Sequence, residues 1–351
     1  MQKILSNFKF WIDNARWIAL PQSILPALVA WVMAWRVSRT QNPLSQYDFC
    51  SSDIQYSFSL ALLALIGVIL LHLGLNLFDD YFDYKVKKTQ YRNDMAAQGI
   101  RARVAKCAYL KEEGGTATLQ QLLYASLAFC FAALLIGCVI WFYRGNFILY
   151  VSLLSAIIGL QYSGGPLRLS YHGLGELTVG FIFGPLLMIG VYYSACGFWN
   201  YSTLWIFASI GLLVSNILYT HSILDFEPDK SIGKRTLAVL VNRPKIMLLL
   251  SLLFNFLPFV FILLGILVKD LSIWYLFLFL TFPMACALYY RLLWFVKDPH
   301  REFKPTFWMG PVQQWDKIQE AGIEWFMVRW LLSRNYVTFF CILIILINLF
   351  N

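Results

Sequence analysis

Apolar residues along this chain are gathered into long runs, and most polar residues lie between those runs. A helix that crosses a membrane needs about 20 mostly apolar residues. Nine runs approach this length, at 17–35, 56–78, 119–142, 147–163, 174–197, 203–224, 246–268, 272–295 and 336–350. The pattern predicts an all-α membrane bundle of about nine transmembrane helices, which forms a single domain over residues 1–351.

The basic residues predict how this bundle is oriented. Of the 28 Lys and Arg residues, 23 lie in the N-terminal segment and in alternate connecting segments, and four lie in the remaining connections. Because short basic segments stay in the cytoplasm, we expect a bacterial inner-membrane protein with a cytoplasmic N-terminus. Cytoplasmic segments are expected at 79–118 and 225–245, with an extended cytoplasmic loop at 297–335. The net charge of +9 thus reflects orientation, and it requires no nucleic-acid partner.

The second run ends in a cluster of acids that a membrane helix rarely carries. Asn76, Asp80 and Asp83 are separated by four and three residues, so they share one helical face, and Asp79 lies at its edge. Carboxylates this close repel one another, and a cation between them removes the conflict. Oxygen ligands favour Mg²⁺ or Ca²⁺. A helix end that has emerged into water would also account for these acids.

A second acidic cluster lies at the end of the sixth run, on the same predicted side. His221, Asp225 and Asp229 are spaced by four residues, and Pro228 requires the helix to kink or restart there. Three basic residues follow directly, at Lys230, Lys234 and Arg235. Acids that hold Mg²⁺ beside cations that contact phosphate oxygens are the combination that binds a metal–diphosphate.

Three stretches of this sequence carry a family resemblance. They are NLFDDYFDYK at 76–85, the tyrosine- and glycine-rich segment at 162–197, and LDFEPDKSIGKRTLAVLVNR at 224–243. At these residues the chain resembles the UbiA superfamily of intramembrane aromatic prenyltransferases, and most of all its naphthoate-accepting branch. The similarity covers roughly residues 15–250.

The resemblance implies a Mg²⁺-dependent transfer of a polyprenyl group from an isoprenoid diphosphate to 1,4-dihydroxy-2-naphthoate, which gives a demethylmenaquinol. It implies catalytic roles for Asp80, Asp83, Asp225 and Asp229, which together with Asp79 would also hold the metal. Asn76, Lys230, Lys234 and Arg235 are then expected to bind the diphosphate. Tyr162, Tyr192, Tyr193 and His221 are expected to line the site of the aromatic acid, and membrane lipid surrounds the bundle.

Two alternatives stay open at this point. His221, Ser222 and Leu224 stand where the naphthoate branch usually has other residues, so another acceptor such as 4-hydroxybenzoate is a second hypothesis. A non-enzymatic secondary transporter that uses its acids for ion coupling is a third. Transporters of that kind often carry internal repeats, and this sequence shows no repeat. The sequence indicates neither the prenyl chain length nor the oligomeric state.

Overall fold

The structure is a computed structural model that describes residues 2–40, 56–85, 107–231, 233–299, 301–312 and 315–350. Within these ranges every regular element is helical, and nine helices are long and apolar enough to cross a membrane. The prediction of an all-α membrane bundle with about nine transmembrane helices is therefore confirmed.

The helices follow one another through mostly short connections. Short amphipathic α1 (Gln2–Asn14) precedes the spanning helices α2 (Pro21–Thr40), α3 (Phe58–Lys85), α4 (Leu119–Arg144), α5 (Asn146–Ser163), α6 (Gly175–Cys196) and α7 (Leu204–Leu224). Two short helices come next, α8 (Phe226–Ser231) and α9 (Leu237–Val241). The chain ends with spanning α10 (Pro244–Leu267), spanning α11 (Phe282–Lys297) after a 3₁₀ stretch at Ile273–Thr281, short α12 (Trp315–Glu320) and spanning α13 (Glu324–Phe350).

Two helices extend further than the apolar runs predicted. α3 continues past the end of its run to Lys85, so the acidic cluster lies on the helix itself. α13 begins at Glu324 and not near 336, because Arg329 is buried inside the bundle instead of facing water. The expected loop at 297–335 is shortened accordingly. Residues 86–106 of the expected cytoplasmic segment 79–118 lie outside the described ranges.

The core of the bundle is centred on α7, which packs against α6, α10 and α13. Small residues allow α6 and α7 to approach with their backbones nearly in contact. A Cβ added to Gly184 would lie 2.4 Å from the Gly211 Cα, and one added to Gly211 would lie 2.7 Å from the Gly180 oxygen. Small residues at helix contacts are typical of membrane bundles. This packing fixes the position of α7 along the bundle, and therefore also the position of the second acidic cluster at the end of α7.

Candidate active site

The first acidic cluster lies on the last turns of α3. Asp80 and Asp83 are 2% and 4% exposed, whereas Asp79 and Asn76 are partly buried. The Asn76 amide donates to the Ala15 oxygen at 2.9 Å, so it ties α3 to the segment that precedes α2. Because Asp80 and Asp83 are buried, the alternative that these acids belong to a helix end in water is excluded. Buried carboxylates require a counter-charge.

Arg16 supplies part of that counter-charge, a role that no pattern in the sequence indicated. Its Nη2 atom lies 3.0 Å from Asp79 Oδ2 and 3.1 Å from Asp80 Oδ1, and it also donates to the Asn76 oxygen. Burial disfavours the charge on Arg16, but the carboxylates of Asp80 and Asp79 outweigh burial and raise its pKa above the ordinary value. The backbone of Arg16 is left-handed, with φ 55°, a conformation that is uncommon outside glycine.

Hydroxyl groups from three other segments complete the surroundings of the cluster. Ser163 donates to Asp79 Oδ1 at 2.5 Å, and Tyr171 donates to Asp83. Tyr109 donates to Asp80 Oδ2 at 3.2 Å; burial and the charge of Asp80 raise the pKa of Tyr109, so its hydroxyl stays protonated. The first cluster is therefore held from several sides.

The second cluster lies where α7 ends and α8 begins. Asp225 caps α7, and Pro228 occupies the third position of α8, where a helix has no amide bond for proline to remove. The Asp229 amide still donates to the Asp225 oxygen at 2.8 Å, so the two acids remain one turn apart across the break. Both acids are almost fully buried. His221 Nδ1 lies 3.5 Å from Asp225 Oδ2.

The basic residues after the second cluster point in different directions. Lys230 is exposed, donates to Asn242 Oδ1 at 3.3 Å and lies over the Phe226 ring. The Lys234 amide donates to the Asp229 oxygen at 2.9 Å, so its backbone turns back toward the acids. Arg235 lines a cavity. Of the three, Arg235 has the clearest connection to the site, and Lys230 the weakest.

The cavity lined by Arg235 joins the two motifs. It has a volume of about 240 Å³ and is lined by Phe82, Ser163, Arg168, Tyr171, His172, Gly233 and Arg235. Ser163 and Tyr171 bind the first cluster from one wall, and Gly233 and Arg235 come from the loop after the second cluster. Two guanidinium groups and no carboxylate of the described residues line the space, which makes it suited to an anion. Sequence reasoning missed Arg168, Tyr171 and His172.

A buried glutamate sets the position of this loop. Glu176, at the start of α6, accepts a hydrogen bond from the Ser222 hydroxyl on α7 and one from the Leu237 amide at 3.1 Å. It therefore ties together the helix before the second cluster and the first residue of α9 after it. Glu176 is 3% exposed, so we interpret it as a positioning residue of the loop.

Two residues expected at the acceptor site lie at the other end of the bundle. The Ala195 oxygen accepts from the Ser57 amide, immediately before α3 begins. Asp80 lies roughly 33 Å further along α3 at 1.5 Å per residue. Tyr192 and Tyr193, within one turn of Ala195, pack on Phe207 and Phe147 respectively. The structure therefore does not bring Tyr192 and Tyr193 together with the other expected site residues, because α6 places them across the membrane from the acids.

Tyr162 and His221, the other two expected acceptor residues, do lie at the acidic end. Tyr162 precedes Ser163, which donates to Asp79, and its ring lies beside Gly175 at the start of α6. His221 lies beside Asp225, and its ring packs edge-on against Phe326 at 5.3 Å.

The donor atoms at this end fit Mg²⁺. All four catalytic candidates are buried carboxylates, and oxygen ligands are what Mg²⁺ prefers. Within the described ranges, no three of the His, Cys, Asp and Glu side chains are grouped closely enough to hold one ion. In phosphate-binding sites, one or two carboxylates bind Mg²⁺ and substrate phosphates complete its shell.

Comparison with known proteins agrees with this geometry. A model of the UbiA prenyltransferase family matches residues 113–310, more than half of the chain. The chain belongs to the UbiA prenyltransferase family. The matched residues begin after the first acidic cluster and include the second.

Relatives of this UbiA-family chain are similar over different lengths. The 1,4-dihydroxy-2-naphthoate octaprenyltransferase of Bacillus subtilis is 26% identical over 198 residues, which cover 56% of this chain and 60% of that protein. The UbiA prenyltransferase domain-containing protein 1 of Danio rerio is 25% identical over 293 residues, which cover 82% of this chain and 83% of that protein. A UbiA homolog from Archaeoglobus fulgidus bound to DMAPP and Mg²⁺ shares the fold, with a TM-score of 0.53 and 14% identity over 95% of this chain and 98% of that chain.

Proposed function

We propose that this protein transfers a polyprenyl group from an isoprenoid diphosphate to 1,4-dihydroxy-2-naphthoate, with Mg²⁺ as the metal. The observation that carries the proposal is the basic cavity lined by Phe82 and by residues of 163–172 and 233–235, which adjoins two buried aspartate clusters. Acids for a cation and guanidinium groups for phosphate oxygens meet at one place. The Archaeoglobus fulgidus homolog, bound to DMAPP and Mg²⁺, supports the donor and the metal.

The residues of the site would have different roles in prenyl transfer. Asp80 and Asp83 on one side, with Asp225 and Asp229 on the other, would hold Mg²⁺, which neutralises the charge that develops on the leaving diphosphate. Arg168 and Arg235 contact phosphate oxygens. As the allylic C–O bond breaks, its electron pair leaves with the diphosphate, and the electron-rich ring of the acceptor forms a C–C bond to the allylic carbon. The carboxylate of the acceptor leaves as CO₂, and the electron pair of its bond to the ring restores the aromatic system. The four aspartates are almost fully buried, and such a site would limit the access of water, which would otherwise capture the allylic carbon.

The acceptor is proposed from the names of the relatives. The Bacillus subtilis relative is named for 1,4-dihydroxy-2-naphthoate. Of the four expected acceptor residues, Tyr162 and His221 are the two that lie at the acidic end. Because Tyr192 and Tyr193 lie elsewhere, the acceptor would contact the first half of α6 and not its second half.

Competition between acceptors tests this proposal. Purified protein is given Mg²⁺, geranyl diphosphate and equal amounts of 1,4-dihydroxy-2-naphthoate and 4-hydroxybenzoate, and products are measured by mass spectrometry. We expect a prenylated naphthoquinol that has lost its carboxyl group, with no product when EDTA replaces Mg²⁺. A product built only on 4-hydroxybenzoate would contradict the acceptor but preserve prenyl transfer. Neither product nor diphosphate release would favour the transporter.

We also propose that the acidic end of the bundle faces the cytoplasm. The distribution of 23 against four basic residues supports it. Glu227 is exposed beside the second cluster, so Glu227→Cys offers a reporter at this end. A membrane-impermeant maleimide should label this cysteine in inverted vesicles but not in intact cells. Labelling in intact cells would reverse the orientation.

A further inference from the structure

Two buried arginines lie outside the proposed active site, between the last two spanning helices. Arg329 of α13 is 0% exposed and Arg291 of α11 is 7% exposed. The Arg329 Nε atom donates to the Arg291 oxygen at 3.1 Å, so the two residues are neighbours. Buried cations are normally paired with an anion. Neither guanidinium contacts a carboxylate of any residue that the structure describes.

Both arginines retain donors that no group of the described residues satisfies. Arg329 donates through Nη1 to the Trp325 oxygen, and Arg291 donates weakly to the Ala287 oxygen at 3.4 Å and to Met309 Sδ at 3.3 Å. The Arg329 Nη2 and Arg291 Nε atoms are buried without an acceptor among the described residues. Leaving such donors unsatisfied costs free energy, and more so when the group is charged.

Aromatic rings surround the pair in place of counter-ions. The Phe303 ring lies 5.3 Å from the Arg291 guanidinium and 5.4 Å from that of Arg329, and Phe295 and Trp308 lie at similar distances. These ring contacts stabilise a cation only modestly. Two positive charges that share one ring also repel each other. An anion that reached both guanidinium groups would satisfy the two donors and remove the repulsion.

The position of the pair identifies the kind of anion. Arg291 lies six residues before the end of α11 and Arg329 five residues after the start of α13, which places both roughly 8–9 Å inside the helix ends. Phe326, one turn before Arg329, contacts His221, so this is the same end of the bundle as the acids. Phosphate groups of membrane lipids lie at the level of helix ends.

The turn that covers the pair exposes aromatic side chains, as protein segments at a membrane surface often do. Phe307 is 96% exposed and Trp308 is 38% exposed in the 3₁₀ turn Phe307–Met309. The Asn335 amide holds this turn to α13 through the Met309 oxygen at 2.8 Å. Exposed aromatic side chains are enriched where a protein meets the lipid headgroup layer, and basic pockets between spanning helices bind anionic headgroups there.

We infer that Arg291 and Arg329 form a binding site for the phosphate of an anionic phospholipid, which is covered by segment 301–312 with its aromatic side chains Phe303, Phe307 and Trp308. The site is separate from the diphosphate cavity. A bound lipid would bridge α11 and α13, and it explains why this segment places aromatic rings around two positive charges.

Lipid retention and thermal stability test this inference on the full chain. Wild type should melt at a higher temperature with added phosphatidylglycerol, but not with phosphatidylcholine or inorganic phosphate. Native mass spectrometry should show that Arg291→Gln retains about tenfold less anionic lipid, as expected for the loss of a charge-assisted hydrogen bond. Lys297→Gln is the matched control, because Lys297 is an exposed cation at the end of the same helix; it should retain lipid like wild type.

Three results would overturn the inference. Equal retention by wild type and Arg291→Gln would exclude the pair as the lipid site. Equal stabilisation by phosphatidylcholine would show that the phosphate charge is not recognised, and equal stabilisation by inorganic phosphate would indicate a site for free anions. The lipid comparison on wild type decides the inference even where Arg291→Gln fails to fold.

Discussion

Asp80→Asn and Asp229→Asn should each lower diphosphate release by about 10²–10³-fold, since losing one transition-state electrostatic contact costs this much in other enzymes. Asparagine preserves the shape of the side chain and one acceptor oxygen, which can still accept from Arg16. Its amide nitrogen would then donate to the Tyr109 hydroxyl, which in the wild type donates to Asp80 Oδ2. What the change removes is the charge that would hold Mg²⁺. Release of inorganic diphosphate from purified variants at saturating Mg²⁺ is the measurement.

Glu227→Gln is the control for both variants. Glu227 lies between the two aspartates of the second motif in sequence, yet it is exposed on α8. It should release diphosphate at the wild-type rate. If Asp80→Asn or Asp229→Asn matched this control at saturating Mg²⁺, that aspartate would not be a required ligand. Equal losses in all three variants would indicate a general effect of removing negative charge near the site.

The helices were predictable because the membrane imposes a simple rule on the sequence. A lipid-spanning segment needs a long apolar run, since its backbone polar groups must be satisfied within the helix. The rule fails where a spanning helix carries charged residues that are buried against other parts of the protein and do not face lipid. The first turns of α13 carry Arg329 and Arg334, so hydropathy placed the start of that helix about three turns too late.

The acidic residues were predictable and their partners were not. Carboxylates inside a span stand out in any sequence, because they are costly there. Arg16 is separated from Asp79 by 63 residues, and it reaches the cluster through a left-handed backbone that no local pattern indicates. Arg168, also left-handed, and Tyr171 lie in a turn between α5 and α6 whose direction depends on packing.

The expected acceptor residues show that one sequence motif can contain residues that lie far apart in the structure. Tyr162 and Tyr192 belong to one continuous stretch that resembles the family. In the structure that stretch runs from the end of α5 through a turn and along all of α6. Residues that belong to one motif are therefore not necessarily close in space. Residues at the start of α6, such as Glu176, stay at the acidic end, and residues near its end do not.

The basic cavity leads to a prediction about substrate affinity. Arg168→Gln and Arg235→Gln should each raise the KM for the prenyl diphosphate about tenfold, and the double variant should raise it roughly 100-fold, because each guanidinium provides a charge-assisted hydrogen bond. The value of kcat should change less, since binding that is equal in the ground state and transition state affects mainly KM. Steady-state kinetics at several prenyl diphosphate concentrations measure both quantities.

Arg243→Gln is the matched control, because Arg243 is an exposed arginine at the same end of the bundle that does not line the cavity. It should leave KM within about twofold of wild type, as expected for a surface charge at moderate salt. A KM that rose equally in Arg243→Gln and Arg235→Gln would indicate attraction by the overall positive field. An unchanged KM in the double variant would mean that the diphosphate binds outside this cavity, and the two acidic clusters would then have to hold it without Arg168 and Arg235.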